Sequence, residues 1–228
     1  KVAAGRCKVI AGTGSNSTIE AISLTHEAER AGADAALLVA PYYNKPSQEG
    51  LFRHFKAIAE ATKLPLVLYS IPGRSGIEIG VETVRRLASA CPNIVAIKEA
   101  GGSVDRVSQL RQVLPAPFEI LSGDDALTLP FIAAGAVGVI SVASNIIPRE
   151  VADLVKAALG GMPTQALALH ERWYPLFRDL FVETNPVPIK TALALQGSIT
   201  SEVRLPLCEM SEENTRKLRA TLASLKLI

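Results

Sequence analysis

The sequence predicts an α/β fold of repeated strand–helix units, and three observations carry that reading. Six short apolar runs recur between residues 7 and 142, each followed by a polar or glycine-containing turn and a segment of helical period. The first four begin at residues 7, 36, 65 and 94, a spacing that fits one strand plus one helix. The runs are continuously apolar rather than alternating, as expected when both faces of a parallel sheet are covered. Such units build either an open doubly wound sheet or an eight-fold barrel. In both, chemistry sits at the C-terminal ends of the strands.

The first run, 7–12, leads through Gly12-Thr13-Gly14-Ser15-Asn16-Ser17 into a helix. The capping box Ser17-Thr18-Ile19-Glu20 opens that helix, and Gly32 closes it. The glycines form only part of a dinucleotide fingerprint: the third is missing, and Asp34 precedes the next strand instead of following it. The turn therefore reads as a tight entry to the helix. The second run, 36–40, ends in Pro41-Tyr42-Tyr43-Asn44, and Ser47 caps a helix reaching about Thr62. The third, 65–70, ends in Tyr69 and a stiff turn, Pro72-Gly73-Arg74-Ser75-Gly76, before a helix over 81–90. An arginine on such a turn offers a carboxylate two parallel donors.

The fourth run, 94–98, ends in Lys98 and precedes a helix over 104–113. A lysine there is either a solvated strand end or an amine kept in apolar surroundings for chemistry. Lys8 is the control, since it adjoins the N-terminal end of a strand, where barrel residues serve stability. The fifth run, 118–121, ends in Ser122-Gly123-Asp124-Asp125, where a glycine admits close approach to backbone and a helix over 124–134 follows. The sixth covers 137–142. Lysine, tyrosines and arginine thus collect at one rim, which favours Lys98 as a functional amine. Beyond residue 148 the sequence turns helical, over 148–159, 164–181, 187–195 and 211–225. The expected division is a β/α region over 1–160 and a C-terminal helical region over 161–228.

Composition excludes several classes. Apolar residues are 48% of the chain and charged ones 20%, the balance of a globular protein rather than a disordered one. Net charge is +2 with no basic run, so nothing points to nucleic acid or a membrane surface. The uncharged segment 127–148 is broken by glycines, serines and an asparagine, which suits a buried strand better than a membrane span. Cys7, Cys91 and Cys208 are odd in number and far apart, against a disulfide framework or zinc site and in keeping with a reducing cytoplasm. His26, His54 and His170 lack metal-ligand spacing, so no metal is expected. No cofactor is needed if the lysine itself forms an imine.

The segments AGTGSNST, APYYNKPSQEGL, LYSIPGRSG, IKEA, LSGDDA, GVISV and NPVPIK, in this order and spacing, closely resemble the dihydrodipicolinate synthase family of pyruvate-dependent, Schiff-base-forming lyases and aldolases. The match covers nearly the whole chain. The resemblance implies a (β/α)8-type barrel fold, here with six parallel strands and a C-terminal helical appendage. It implies a lyase that condenses pyruvate with aspartate semialdehyde through an imine on Lys98 to give 4-hydroxy-tetrahydrodipicolinate, in lysine and diaminopimelate biosynthesis. It gives Tyr69 a proton-relay role, and Tyr43 a place in a neighbouring subunit's site within a homo-oligomer, dimer or tetramer. Arg74 matches the arginine that holds the second substrate's carboxylate, and Gly123 and Ile140 match backbone positions lining the pyruvate pocket. Asn16, Glu20 and Tyr42 match positions where many members bind lysine as an inhibitor.

The chain departs from the pattern at its start. The family barrel begins with two strand–helix units before the segment matching Lys1, and the second of them ends in a Thr-Thr pair found nowhere here. One of those threonines links the two tyrosines of the relay. The expectation is a shortened barrel with impaired turnover. The competing readings are another keto-acid aldolase of the superfamily and a non-catalytic relative.

Overall fold

Six strands pair in sequence order in the computed structural model, which describes residues 2–228: β1 (Ile10–Gly12), β2 (Ala35–Val39), β3 (Leu66–Ser70), β4 (Ile94–Glu99), β5 (Glu119–Ser122) and β6 (Gly138–Val139). The ladders from β1 to β5 are parallel, and the Val137 N–H donates to the Ile120 carbonyl where β6 joins. Strict sequential order decides between the two architectures left open by the repeat. A doubly wound sheet reverses its strand order at a switch point, whereas a barrel-type sheet does not. The α/β barrel-type fold with six parallel strands is thus the one observed.

The helices follow the strands: α1 (Thr18–Arg30), α2 (Gln48–Ala61), the single turn α3 (Pro72–Ser75), α4 (Val81–Ala90), α5 (Val104–Val113), α6 (Thr128–Ala133), α7 (Pro148–Leu159), α8 (Pro163–Asp179), α9 (Val187–Leu195) and α10 (Glu212–Ser224). Ser17 and Ser47 cap α1 and α2 as the sequence predicts, accepting from Glu20 N and Gly50 N.

Two packed units divide the chain. The first runs to Gly123 and includes Ala134–Gly138. Its core is built on one sheet face, where Leu38, Leu68, Ile97 and Ile120 stand adjacent in register and fully buried. Helices add Leu51, Phe55 and Ile58 from α2, Val84 and Leu87 from α4, and Val107 and Leu110 from α5, each set spaced by three or four residues. Burying each such side chain stabilises the fold by about 1.5–3 kcal/mol. The second unit, Asp124–Ala133 with Val139–Ile228, has its own core, which includes Leu154, Trp173, Leu176, Phe177, Leu218 and Leu222.

The three largest differences between predicted and observed boundaries each have side chains competing with the backbone as their cause. The expected first strand loses residues 7–9 because the Asp34 carboxylate takes the Val9 N–H at 2.9 Å and the Lys8 ammonium at 2.8 Å. The expected helix over 124–134 starts only at Thr128, since Asp124 Oδ1 accepts from Ala126 N and Leu127 N in a tight turn. The last strand stops at Val139, and the Val142 and Ala143 N–H groups donate to the buried Asp125 carboxylate at 3.0 and 2.9 Å.

His54 on α2 is 7% exposed, and its Nδ1 shares a 2.9 Å hydrogen bond with Thr18 Oγ1 of α1. Burial pushes its pKa down to about 4, so the folded protein holds it neutral. In the unfolded chain it protonates near 6.5, so between about pH 4 and 6.5 the unfolded state binds more protons and stability rises with pH. Acidification from pH 7 to 4.5 is therefore expected to cost about 2–3 kcal/mol through this residue. Urea unfolding of His54→Gln at both pH values checks this: the variant should lose less stability than the parent over that interval. Equal losses would remove His54 as the cause.

Candidate active site

The sheet face opposite Leu38, Leu68, Ile97 and Ile120 carries a second row in register: Val39, Tyr69, Lys98 and Leu121, all half-buried. Successive side chains of a strand point to opposite faces, so β3 and β4 present Tyr69 and Lys98 side by side. The Lys98 Nζ lies 4.0 Å from the centroid of the Tyr69 ring. Two residues that the sequence placed on separate strand ends are thus brought together by parallel register.

Backbone closes in on Lys98 from the next strand end. The Gly123 N–H donates to the Glu99 carbonyl at 2.8 Å. A Cβ built at residue 123 would lie 2.6 Å from Ala100 Cβ and 3.0 Å from Lys98 Cε. Only glycine fits there without displacement.

Arg74 sits on α3, directly after β3, where Pro72 starts a single helical turn and Gly76 ends it with φ 74°. Ser75 Oγ bonds to the carbonyls of Ile71 and Ile77 and stiffens this turn. Burial raises the pKa of the Tyr69 phenol, and the nearby Arg74 charge pulls it part of the way back. The phenol is therefore protonated at neutral pH and able to donate.

Sequence reasoning passed over the residues that support these groups. Glu99, next to Lys98, is fully buried and accepts from Arg106 Nε at 2.7 Å and from Gly101 N at 2.7 Å. Burial pushes its carboxyl pKa up, and the Arg106 guanidinium pulls against that shift. Arg106, on the first turn of α5 and 5% exposed, also bonds Glu78 Oε1 at 2.9 Å and the Ile79 carbonyl. The only hint in sequence was a glutamate directly following an apolar strand.

The remaining predicted residues lie elsewhere. Asn16 Nδ2 donates to the Tyr42 carbonyl at 3.2 Å, and Asn44 Nδ2 to the Asn16 carbonyl at 3.0 Å. Glu20 joins this group through a hydrogen bond from Ser15 Oγ. Tyr43 is 89% exposed and adopts φ 74°, a left-handed backbone that costs a tyrosine about 1–2 kcal/mol. Ile140 belongs to the second unit, half-buried just after β6. The partial glycine fingerprint has a packing role: a Cβ on Gly14 would come within 2.4 Å of the Val39 nitrogen. Among the described residues no His, Cys, Asp or Glu cluster could hold a metal, the three cysteines are free, and no helix is long and apolar enough to cross a membrane.

A model of the dihydrodipicolinate synthetase family matches residues 1–225. The 4-hydroxy-tetrahydrodipicolinate synthase of Aquifex aeolicus (strain VF5) is 54% identical over 222 residues, 97% of this chain and 76% of the relative. The solved structure of the 4-hydroxy-tetrahydrodipicolinate synthase from Methylacidiphilum fumariolicum SolV is 61% identical with a TM-score of 0.98, covering 99% of this chain and 75% of that one. The chloride-inhibited dihydrodipicolinate synthase from Acinetobacter baumannii, solved in complex with pyruvate, is 46% identical with a TM-score of 0.97, covering 100% and 78% respectively.

Proposed function

The chain belongs to the dihydrodipicolinate synthetase family, and from that premise we propose that it condenses pyruvate with aspartate semialdehyde through an imine on Lys98. The product is 4-hydroxy-tetrahydrodipicolinate, in the route to diaminopimelate and lysine. The observation that carries this reading is the placement of the Lys98 amine over the Tyr69 ring, with Arg74 on the turn that follows Tyr69.

In this mechanism the neutral Lys98 amine attacks the ketone of pyruvate, and loss of water gives the imine. Loss of a methyl proton turns the imine into an enamine, whose carbon attacks the aldehyde of the second substrate. Cyclisation through that substrate's own amine displaces Lys98 and frees the product. Each step needs a proton delivered or removed, and the protonated Tyr69 phenol beside the amine is the carrier. Gly123 offers backbone rather than a side chain to the pyruvate bound at Lys98. The covalent imine takes the place of a cofactor, and the setting is the cytoplasm.

Tyr43 completes a neighbouring subunit's relay in a homo-oligomer, a role supported by an aromatic ring held out in solvent on a left-handed backbone. The group of Asn16, Glu20 and Tyr42 takes free lysine as a feedback inhibitor, which calorimetric titration with lysine would detect.

The test of the reaction is borohydride trapping with pyruvate followed by peptide mapping, beside a coupled assay with both substrates. The expected result is a single adduct on the peptide containing Lys98 and turnover of aspartate semialdehyde. An adduct elsewhere, or none, would sink the reading.

Arg74 gives a sharper expectation. Losing a charged hydrogen bond to a carboxylate costs about 1.5–3 kcal/mol, so Arg74→Ala should weaken use of aspartate semialdehyde by about 10- to 100-fold while leaving pyruvate trapping nearly intact. Parallel loss of both would mean damage to the fold rather than to substrate recognition.

A further inference from the structure

Arg106 is bonded to the segment that carries Lys98 and to the one that carries Arg74. Through Nε it holds Glu99, the residue after Lys98, and Glu99 in turn fixes the following turn through the Gly101 N–H. Through Nη1 and Nη2 it holds Glu78 and the Ile79 carbonyl, on the segment running on from the Arg74 turn. Gln48 of α2 grips the same segment from the other side, donating to the Glu78 carbonyl at 2.9 Å and accepting from Gly80 N at 2.9 Å. The Arg106 guanidinium pairs with two carboxylates: Glu99, fully buried, and Glu78, whose side chain is 46% exposed.

Stability is a poor explanation for this arrangement. A buried ion pair gains little over well-packed apolar residues, because desolvating two charges offsets their attraction. What a guanidinium adds is geometry: a planar fork whose donors point in fixed directions. Here that fork spans two strand ends.

We infer that Arg106 is a positioning residue, fixing the Arg74 turn against the Lys98 strand end so that the second substrate's carboxylate is held at a set distance from the carbon bound to Lys98. The inference rests on the condensation proposed above. It separates the two half-reactions: imine formation with pyruvate depends on Lys98 and Tyr69, side by side on paired strands, whereas addition to the aldehyde depends also on the spacing between the Lys98 strand end and the Arg74 turn. Small misplacements of a reacting partner are known to cost up to about 100-fold in rate.

The test is Arg106→Lys, which keeps a positive charge beside Glu99 but cannot span Glu99, Glu78 and the Ile79 carbonyl together. Glu78→Gln, at a half-exposed side chain, takes the charge from one arm of the fork and so weakens it, and serves if the lysine variant folds poorly. Expected in both is pyruvate trapping within about twofold of the parent, a KM for aspartate semialdehyde raised about tenfold in Arg106→Lys and less in Glu78→Gln, and amide hydrogen exchange faster over residues 76–80. An unchanged KM for the semialdehyde, or trapping and KM damaged in equal measure, would overturn the inference. If the parent itself forms no pyruvate adduct, the reaction is wrong but the positioning claim is still decided by exchange: unchanged protection over 76–80 in Arg106→Lys would refute it, and faster exchange would support it.

Discussion

Lys98→Ala is expected to abolish the pyruvate-dependent borohydride adduct and to lower turnover by roughly 10⁴-fold or more, since the nucleophile of a covalent mechanism has no substitute. The side chain is half-buried and sits at the end of a strand whose core contacts come from Ile94, Ala96 and Ile97. Its removal should therefore leave the fold standing, and circular dichroism of the variant should match the parent. The measurement is mass mapping after reduction, alongside the coupled assay. An adduct of undiminished yield in Lys98→Ala would place the imine on another amine.

Tyr69→Phe should have the next largest effect. It retains the ring that lies 4.0 Å from the Lys98 Nζ and removes only the hydroxyl. Loss of a positioned proton donor typically costs 10²–10⁴-fold, so kcat is expected to fall by at least about 100-fold. Adduct formation should be slower but still reach completion, because the amine and its apolar neighbour remain. A kcat within fivefold of the parent would show that the phenol carries no proton in the slow step.

The repeat of strands and helices was legible because continuous apolar runs and capping serines are local signals. The positions of Lys98, Tyr69 and Arg74 in the fold were legible for a related reason. Each stands at the C-terminal end of a recognisable run or on the turn just beyond it, which is where this architecture places chemistry. The register that sets Tyr69 beside Lys98 was not legible, since ladder pairing depends on long-range contacts that no single segment specifies. Arg106 was invisible in a different way. On the first turn of a polar helix an arginine reads as a solvated face, and only the buried Glu99 opposite it shows otherwise. Asp34, Asp124 and Asp125 shifted element boundaries by bonding backbone N–H groups, a competition that apolar periodicity does not register. Nothing in the sequence marked the left-handed backbone of Tyr43.

The crowding of Gly123 against Ala100 and Lys98 gives the surroundings of the amine parts with different evolutionary freedom. One wall is main chain, with an N–H already engaged by the Glu99 carbonyl, so no mutation can recolour it without moving two strand ends. Arg74 occupies an exposed position on its turn, where a side chain can be exchanged without moving main chain. Descendants of this chain that acquire a taste for other aldehydes should therefore differ at the arginine turn while keeping the glycine. The imine-forming half of the chemistry would pass between them unaltered, with its partner substrate exchanged around it.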